Sequence, residues 1–271
     1  MEPTGGYEQD LIYALQDAGF SVILCNGFKV HNYGKALGFN AKNDKIDSYV
    51  IKSFAEDLYP KGKIEILKTK SQNFRLLEQW LNRRIQVVKL LTSEKQRLAK
   101  FQSKAINKLC QKSILFHEKE IKIIDKKLEI LSQKESHRAD RFKEIMGIGD
   151  VCANGLIIYL PELGHYSNKV ISAIVGVAPY CKESGKHKGK SKIKGGRNKL
   201  RSILYMGVLS GINHNKVIKK FYNRLIKNGK PHNLAMVACM RKLLCILNAM
   251  ERNNTRWDDN YCVPKNKANL I

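Results

Sequence analysis

Ser184 lies in a segment, residues 179–201, built from a restricted set of side chains. Lys182, Lys186, Lys188, Lys190, Lys192, Lys194, Arg197, Lys199 and Arg201 are threaded with Gly185, Gly189, Gly195 and Gly196, against the one acid Glu183. Lysine at nearly every second position cannot make a buried strand, because the alternate charges would have no partners. Glycine lets a backbone come close to a ligand, and the ammonium groups add positive charge there. A flexible loop of this composition is suited to a polyphosphate backbone.

A second set of residues is acidic. Asp44 and Asp47 are three apart on an expected helix, which puts both carboxylates on one face, about 5–6 Å from each other. Glu2 precedes Pro3-Thr4-Gly5-Gly6 at an expected strand-to-turn junction and could point into the same space. Converging carboxylates are the hard oxygen donors that Mg²⁺ takes. The aspartate pair alone is also what an acidic helix start looks like. Further on, Met146-Gly147-Ile148-Gly149 sits between two helical runs. It reads as the turn of a helix-hairpin-helix, with N–H groups free for a phosphate oxygen, or as a plain glycine-rich connection.

The elements that must hold these groups fall into three zones. Residues 1–60 mix helix and strand signals: an amphipathic run with Tyr7, Leu11, Ala14 and Leu15, a short apolar strand over 22–25, and a helix carrying Ile46, Val50, Ile51 and Phe54. The second zone, 61–141, lies almost wholly within a stretch from Lys63 to Met146 that has neither Gly nor Pro, which favours long helices. Leu77, Leu81, Val88 and Leu91 form one stripe, Ile121, Ile124, Leu128 and Leu131 another, with a less regular stretch over 103–113 between them. The reading is a helical hairpin or coiled-coil arm, of the kind that commonly mediates dimerisation, or an ordinary two-helix packing. Residues 142–271 read as helical with short breaks, with later helices over 200–212 and 234–250.

Forty-nine Lys and Arg stand against 24 Asp and Glu, a net charge of +25. Charge on that scale opposes compactness, so a partner of opposite sign is expected, and its binding should weaken with salt. The seven cysteines show no C-x-x-C and no zinc spacing with histidine. They read as reduced thiols of a soluble cytoplasmic protein. No apolar run is expected to reach membrane length.

Several motifs occur together and in order: Glu2-Pro-Thr-Gly-Gly-Tyr7, Ala41-Lys-Asn-Asp44-Lys-Ile-Asp47, Met146-Gly-Ile-Gly149, Gly176-Val-Ala-Pro-Tyr180, Ser184-Gly185 and Gly195-Gly196-Arg197. Arg201 to Met206, Phe221-Tyr222 and Arg241-Lys242 follow. This set resembles the DEDD transposases of the insertion-sequence 110 family, relatives of the Piv-type invertases, over almost the whole chain.

The resemblance implies an α/β plus α fold: a RuvC-like (RNase H-type) domain over 1–60, a coiled-coil arm over 61–141, and a C-terminal transposase domain over 142–271 with a helix-hairpin-helix. It implies that Glu2, Asp44 and Asp47 are the second, third and fourth Mg²⁺-binding acids. It further implies that Ser184 attacks a DNA phosphodiester and becomes covalently joined to the strand. Gly147, Gly149 and the cations of 179–201 would touch nucleic acid. An element-encoded guide RNA, donor and target DNA, and a second copy of the chain are the implied partners, with action at the nucleoid and no membrane.

In that family the first acid lies on a strand upstream of the Glu2 motif, and this chain begins at Met1. The expectation is therefore a truncated domain, a fraying Glu2, and a chain that binds nucleic acid but does not recombine DNA. Two other readings compete. One is a non-catalytic basic helix-hairpin-helix protein, and the other is a RuvC-type junction nuclease that uses water instead of serine.

Overall fold

The computed structural model describes residues 1–39, 43–133, 136–181, 183–184, 187–188 and 191–258, and they form two compact units, Met1–Ser71 and Gln72–Ile271.

The first unit carries three helices, α1 (Glu8–Asp17), α2 (Gly27–Ala36) and α3 (Asp44–Leu58). Asn26 caps α2 by accepting from Lys29 N, and Asn43 caps α3 by accepting from Ile46 N, each supplying an acceptor for an otherwise orphan N–H. Glu8 ties down the start of α1: its Oε2 accepts from Thr4 N, Thr4 Oγ1 and Gly6 N. Val30, Val50, Phe54 and Cys25 form the core. The face of α1 differs from the expected stripe. Ile12 is buried, whereas Tyr7 and Leu11 are exposed.

The strand expected over 22–25 is not assigned, and no strand occurs among the described residues of this unit. Single pairings replace it. The Met1 amino group donates to Ile23 O at 2.9 Å, Cys25 N donates to Met1 O at 2.8 Å, and Leu67 N donates to Val22 O at 2.7 Å. The first two bonds bracket Leu24 as a parallel pair would. With one residue on each flank there is no second rung to extend into a ladder. Met1 is thus bonded to the segment beside it, where fraying was expected.

The second unit begins with α4 (Gln72–Leu98) and α5 (Lys104–Ser132), which pack antiparallel along their lengths. Leu77, Leu81 and Val87 meet Ile124 and Leu128, so Val87 takes the buried place expected of Val88. Arg83–Glu120, Arg84–Asp125 and Lys95–Glu118 pairs, at 2.5, 2.6 and 2.8 Å, fix the register. The turn falls at 99–103, and the expected irregularity over 103–113 is helix. The apolar pattern there is irregular because Ile106 and Leu109 face outward. Leu109, Phe116, Ile123 and Ile130, seven apart, are all more than half exposed on α5.

The remaining helices are α6 (Ser136–Lys143), α7 (Asp150–Tyr159), α8 (Asn168–Val175), α9 (Asn198–His214), α10 (Lys216–Lys227) and α11 (His232–Asn253). They enclose one core in which Phe142, Leu156, Ile157, Leu204, Leu244 and Leu247 have almost no exposure. Glycines set the α7–α9 crossing: a Cβ on Gly155 would stand 2.8 Å from Ile203, and one on Gly207 3.2 Å from the Cys152 sulfur. Asn248 of α11 is buried with its amide satisfied, accepting from Gly164 N at 2.7 Å and donating to Tyr166 O and Asn168 Oδ1. By length and composition α11 could cross a membrane, contrary to the sequence reading. Its apolar residues instead face α8, α9 and α10 in the core.

Between α8 and α9 the chain forms short antiparallel pairs, β1 (Pro179–Tyr180) with β4 (Lys192–Ile193) and β2 (Glu183–Ser184) with β3 (His187–Lys188). The lysine-rich segment is thus a ribbon where a flexible loop was expected. Burial is what alternate lysines forbid, and Tyr180, Lys192 and Ile193 of this ribbon are exposed.

Candidate nucleic-acid interface and catalytic groups

The ribbon is anchored at its root. Gly176 caps α8 in the left-handed conformation, and Gly195 and Gly196 also have positive φ. A Cβ on Gly176 would stand 2.2 Å from Gly195 O, and one on Gly196 2.3 Å from Gly176 N. The two strands therefore leave the core in backbone-to-backbone contact. Arg201 closes the root by donating to Gly195 O at 2.6 Å and to Asn198 Oδ1. Arg197 donates to Tyr159 O at 2.7 Å and, through both terminal nitrogens, to Glu162 at 2.6 Å each.

Beyond the root Pro179 pairs with Ile193 and Tyr180 with Lys192, and Cys181 Sγ lies 3.0 Å from Ser191 Oγ. Glu183 pairs with Lys188 and Ser184 with His187. Ser184 occupies the last described pair, with Gly185 and Lys186 following it in the chain.

The cations expected to touch nucleic acid divide by placement. Lys192 and Lys194 are exposed, and Lys188 is in β3. Lys199 Nζ donates to Asn82 Oδ1 at 2.7 Å. Arg197 and Arg201 hold the ribbon root, as above. Lys182, Lys186, Lys190 and the glycines 185 and 189 lie outside the described residues.

The Gly147 segment joins α6 to α7 in a tight turn. Gly147 has φ +104, and a Cβ there would stand 2.7 Å from Gly207 O, so this glycine serves the packing of the turn on α9. Gly149 is the N-cap of α7 and carries no side-chain cap. A Cβ at Gly149 would meet nothing within 4 Å, so the start of α7 is open. Asp150 in that first turn accepts from Lys143 at 3.0 Å. Hydrogen bonds to Asp140 and Asp150 hold the Lys143 ammonium above its ordinary range.

In the first unit Asp44 and Asp47 occupy the opening turn of α3. Asp47 and Glu2 line one cavity of about 410 Å³, together with Gly27, His31 and Lys35 of α2, and Asp44 is not among its walls. Gly27 makes room for the acid: a Cβ on it would stand 2.9 Å from Glu2 Oε2. The Glu2 carboxylate therefore rests against the N-terminal residue of α2, where the helix dipole favours negative charge. Among the described residues no three His, Cys, Asp or Glu side chains group as a metal set. Mg²⁺ commonly takes one or two protein carboxylates and completes its shell with water and substrate phosphate, and Glu2 and Asp47 match that number.

Three features escaped the sequence reading. His31 faces the acid cavity, and its position four residues beyond Gly27 on a short helix was the available signal. Helix α10 is strongly amphipathic and exposes Lys219, Lys220, Arg224 and Lys227. Lys242 and Phe221, in motifs distant in sequence, meet with the ammonium 4.7 Å from the ring centroid. Burial first, and then the nearby Arg224 charge, lower the Lys242 pKa.

The family model described as Transposase, that of the IS110 DEDD transposases, matches residues 1–104. A second model, described as Transposase IS116/IS110/IS902 family, matches residues 139–223. The pilin gene-inverting protein of Moraxella bovis is 27% identical over 265 residues, covering 95% of this chain and 81% of its own length. The pilin gene-inverting protein of Moraxella lacunata is similar to the same extent. The two models place the acid-bearing unit and the ribbon-bearing helical core in a single group, and the chain belongs to the IS110 family of transposases.

Proposed function

We propose that this transposase cuts and rejoins DNA through Ser184, with Mg²⁺ held by Glu2 and Asp47 and assisted by Asp44. The observation that supports the reading most directly is the cation-rich ribbon, exposed at Tyr180, Lys192 and Ile193, that carries Ser184 and leaves the core through a closely packed glycine root. A serine hydroxyl is a weak nucleophile at neutral pH and needs positive charge around the phosphoryl oxygens. Lys188 and Lys192 of the ribbon supply it, with Lys182 and Lys186 adjacent in sequence. In the proposed step the Ser184 oxygen loses its proton and bonds to phosphorus, and a strand end leaves as a hydroxyl. Bound Mg²⁺ supplies Lewis-acid neutralisation of phosphate charge. Glu2, resting on Gly27, and Asp47, fixed in the first turn of α3, are the chain's own groups for holding it.

Inversion of a DNA segment, the activity in the names of the two Moraxella relatives, is strand exchange of this class. We extend the reading to the partners: donor and target DNA, a guide RNA encoded with the element, and a second copy of the chain through α5. The helix-hairpin-helix assignment of α6, its turn and α7, and the RuvC-like assignment of the first unit, are part of the same proposal.

The test is trapping of a covalent protein–DNA adduct with Mg²⁺ present. An adduct formed by the wild-type chain and abolished by EDTA or Ser184→Ala, with DNA binding retained, supports the serine mechanism and overturns the expectation of a chain that only binds. Strand cleavage that persists in Ser184→Ala with no adduct in the wild type would replace the serine mechanism with a water-dependent one.

A further inference from the structure

A cavity of about 850 Å³ in the second unit lies where the arm meets the helical core, lined from α4, α5, α7 and α9. Val88, Leu128, Val151 and Met206 give it aliphatic walls. At its edge are the open start of α7 at Gly149 and the start of α9 at Asn198, neither with a side-chain cap. Lys89, Lys126 and Lys199 also line it. Two of its acids are already paired, Asp125 with Arg84 at 2.6 Å and Asp150 with Lys143 at 3.0 Å.

Asn154 is the informative group. It is 2% exposed and lines this cavity, and its Oδ1 has no hydrogen-bond partner. A buried amide oxygen left without a donor calls for one from a ligand. The buried Cys152 thiol nearby is pushed up to about 12 by desolvation, so it stays protonated and offers no nucleophile. The cavity is therefore equipped to bind.

We propose that this cavity receives a single unstacked nucleobase from the bound strand. Its flat faces lie against the aliphatic walls, an N–H of its edge donates to Asn154 Oδ1, and its phosphate meets the starts of α7 and α9 with the surrounding lysines. Free phosphate would leave Asn154 and the aliphatic walls unused, and an apolar side chain would leave Asn154 and the cations unused. A nucleotide uses all three. A base held out of its stack is gripped in such pockets by hydrogen bonds to its edge and packing against its faces. The inference rests on the nucleic-acid reading above and assigns that strand a second contact, apart from the ribbon.

The test uses the full chain and single-stranded oligonucleotides carrying 2-aminopurine, whose fluorescence rises on unstacking, with deoxyribose and ribose versions to identify which strand supplies the base. Binding is followed separately by anisotropy. The wild type gives a fluorescence rise on binding. Met206→Trp, a bulky change at an exposed wall position, abolishes the rise while affinity falls by about threefold or less, because phosphate contacts carry most of the binding. Asn154→Leu removes the orphan oxygen at similar volume; it loses the rise and keeps the thermal midpoint at or above that of the wild type. Binding without a rise, or a full rise in either variant, overturns the pocket alone. Failure to bind any oligonucleotide overturns the nucleic-acid reading as well.

Discussion

Arg197 grips Glu162 through two hydrogen bonds of 2.6 Å, and the same guanidinium holds the Tyr159 carbonyl. This fork joins the start of α9 to the end of α7 beside the ribbon root. A forked donor is what a paired carboxylate geometry requires, and lysine cannot reproduce it. Arg197→Lys is expected to lower stability by about 1–2 kcal/mol, a value reduced for the partial exposure of both side chains. Thermal unfolding followed by circular dichroism measures it. An unchanged midpoint would show that the fork contributes nothing and would return Arg197 to the set of nucleic-acid contacts.

The glycines at the root give a graded series. Gly195 has φ +69 with open space around its missing Cβ, so Gly195→Ala meets backbone strain alone, about 1 kcal/mol. Gly196→Ala adds a clash with the Gly176 backbone and is expected to cost about 3 kcal/mol or more. Equal losses in denaturant titration would refute the contact at the root.

Salt dependence separates ribbon lysines from root arginines. Lys188→Ala and Lys192→Ala are each expected to lower the slope of log K against log salt by about one. Arg201→Ala is expected to leave that slope unchanged in the fraction that remains folded. Anisotropy titrations over a range of salt concentrations supply the slopes.

Glu8 gives a pH prediction. Desolvation pushes its carboxyl up, but hydrogen bonds from the N–H groups of Glu8, Thr4 and Gly6 and from the Thr4 hydroxyl outweigh this and bring it down to about 2. Its folded-state value lies below the unfolded one. The stabilisation is therefore present above pH about 4.5 and fades as pH falls through about 2. Glu8→Gln should unfold more easily than the wild type at pH 7, with the gap closing in acid. A gap that stays constant from pH 7 to 2 would remove the charge from the explanation.

The exposed seven-residue spacing on α5 predicts self-association. Ile123→Asp places a charge in the middle of the Leu109, Phe116, Ile123 and Ile130 row. It is expected to shift the chain to a smaller species in sedimentation equilibrium, with the helical circular-dichroism signal retained. A wild type that is already monomeric at micromolar concentration would exclude the arm as the contact.

The helical parts were legible because their signals are local. The 3.6-residue spacing of Ile121, Ile124, Leu128 and Leu131 and the scarcity of Gly and Pro define the arm without any tertiary information. The face of α1 was not legible, since Leu11 and Ile12 are equally apolar and only the surrounding packing buries one of them. The ribbon was missed because its alternating lysines imply that the strands cannot be buried, which says nothing against exposed strands. The acids were located as residues but not as a cavity, because the space between Glu2 and Asp47 depends on Gly27, whose lack of a side chain carries no pattern in the sequence. Arg197 looked like one more cation of the basic segment, and its partner Glu162 lies 35 positions earlier in the chain.

A ribbon whose base admits no side chain at Gly176 or Gly196 behaves as a cassette mounted on a fixed socket. Residues beyond the socket can be exchanged, added or lost with little effect on the helices beneath. Divergence toward new recombination partners would then concentrate outward of Tyr180 and Lys192 around a retained Ser184, with the two glycines persisting beneath it.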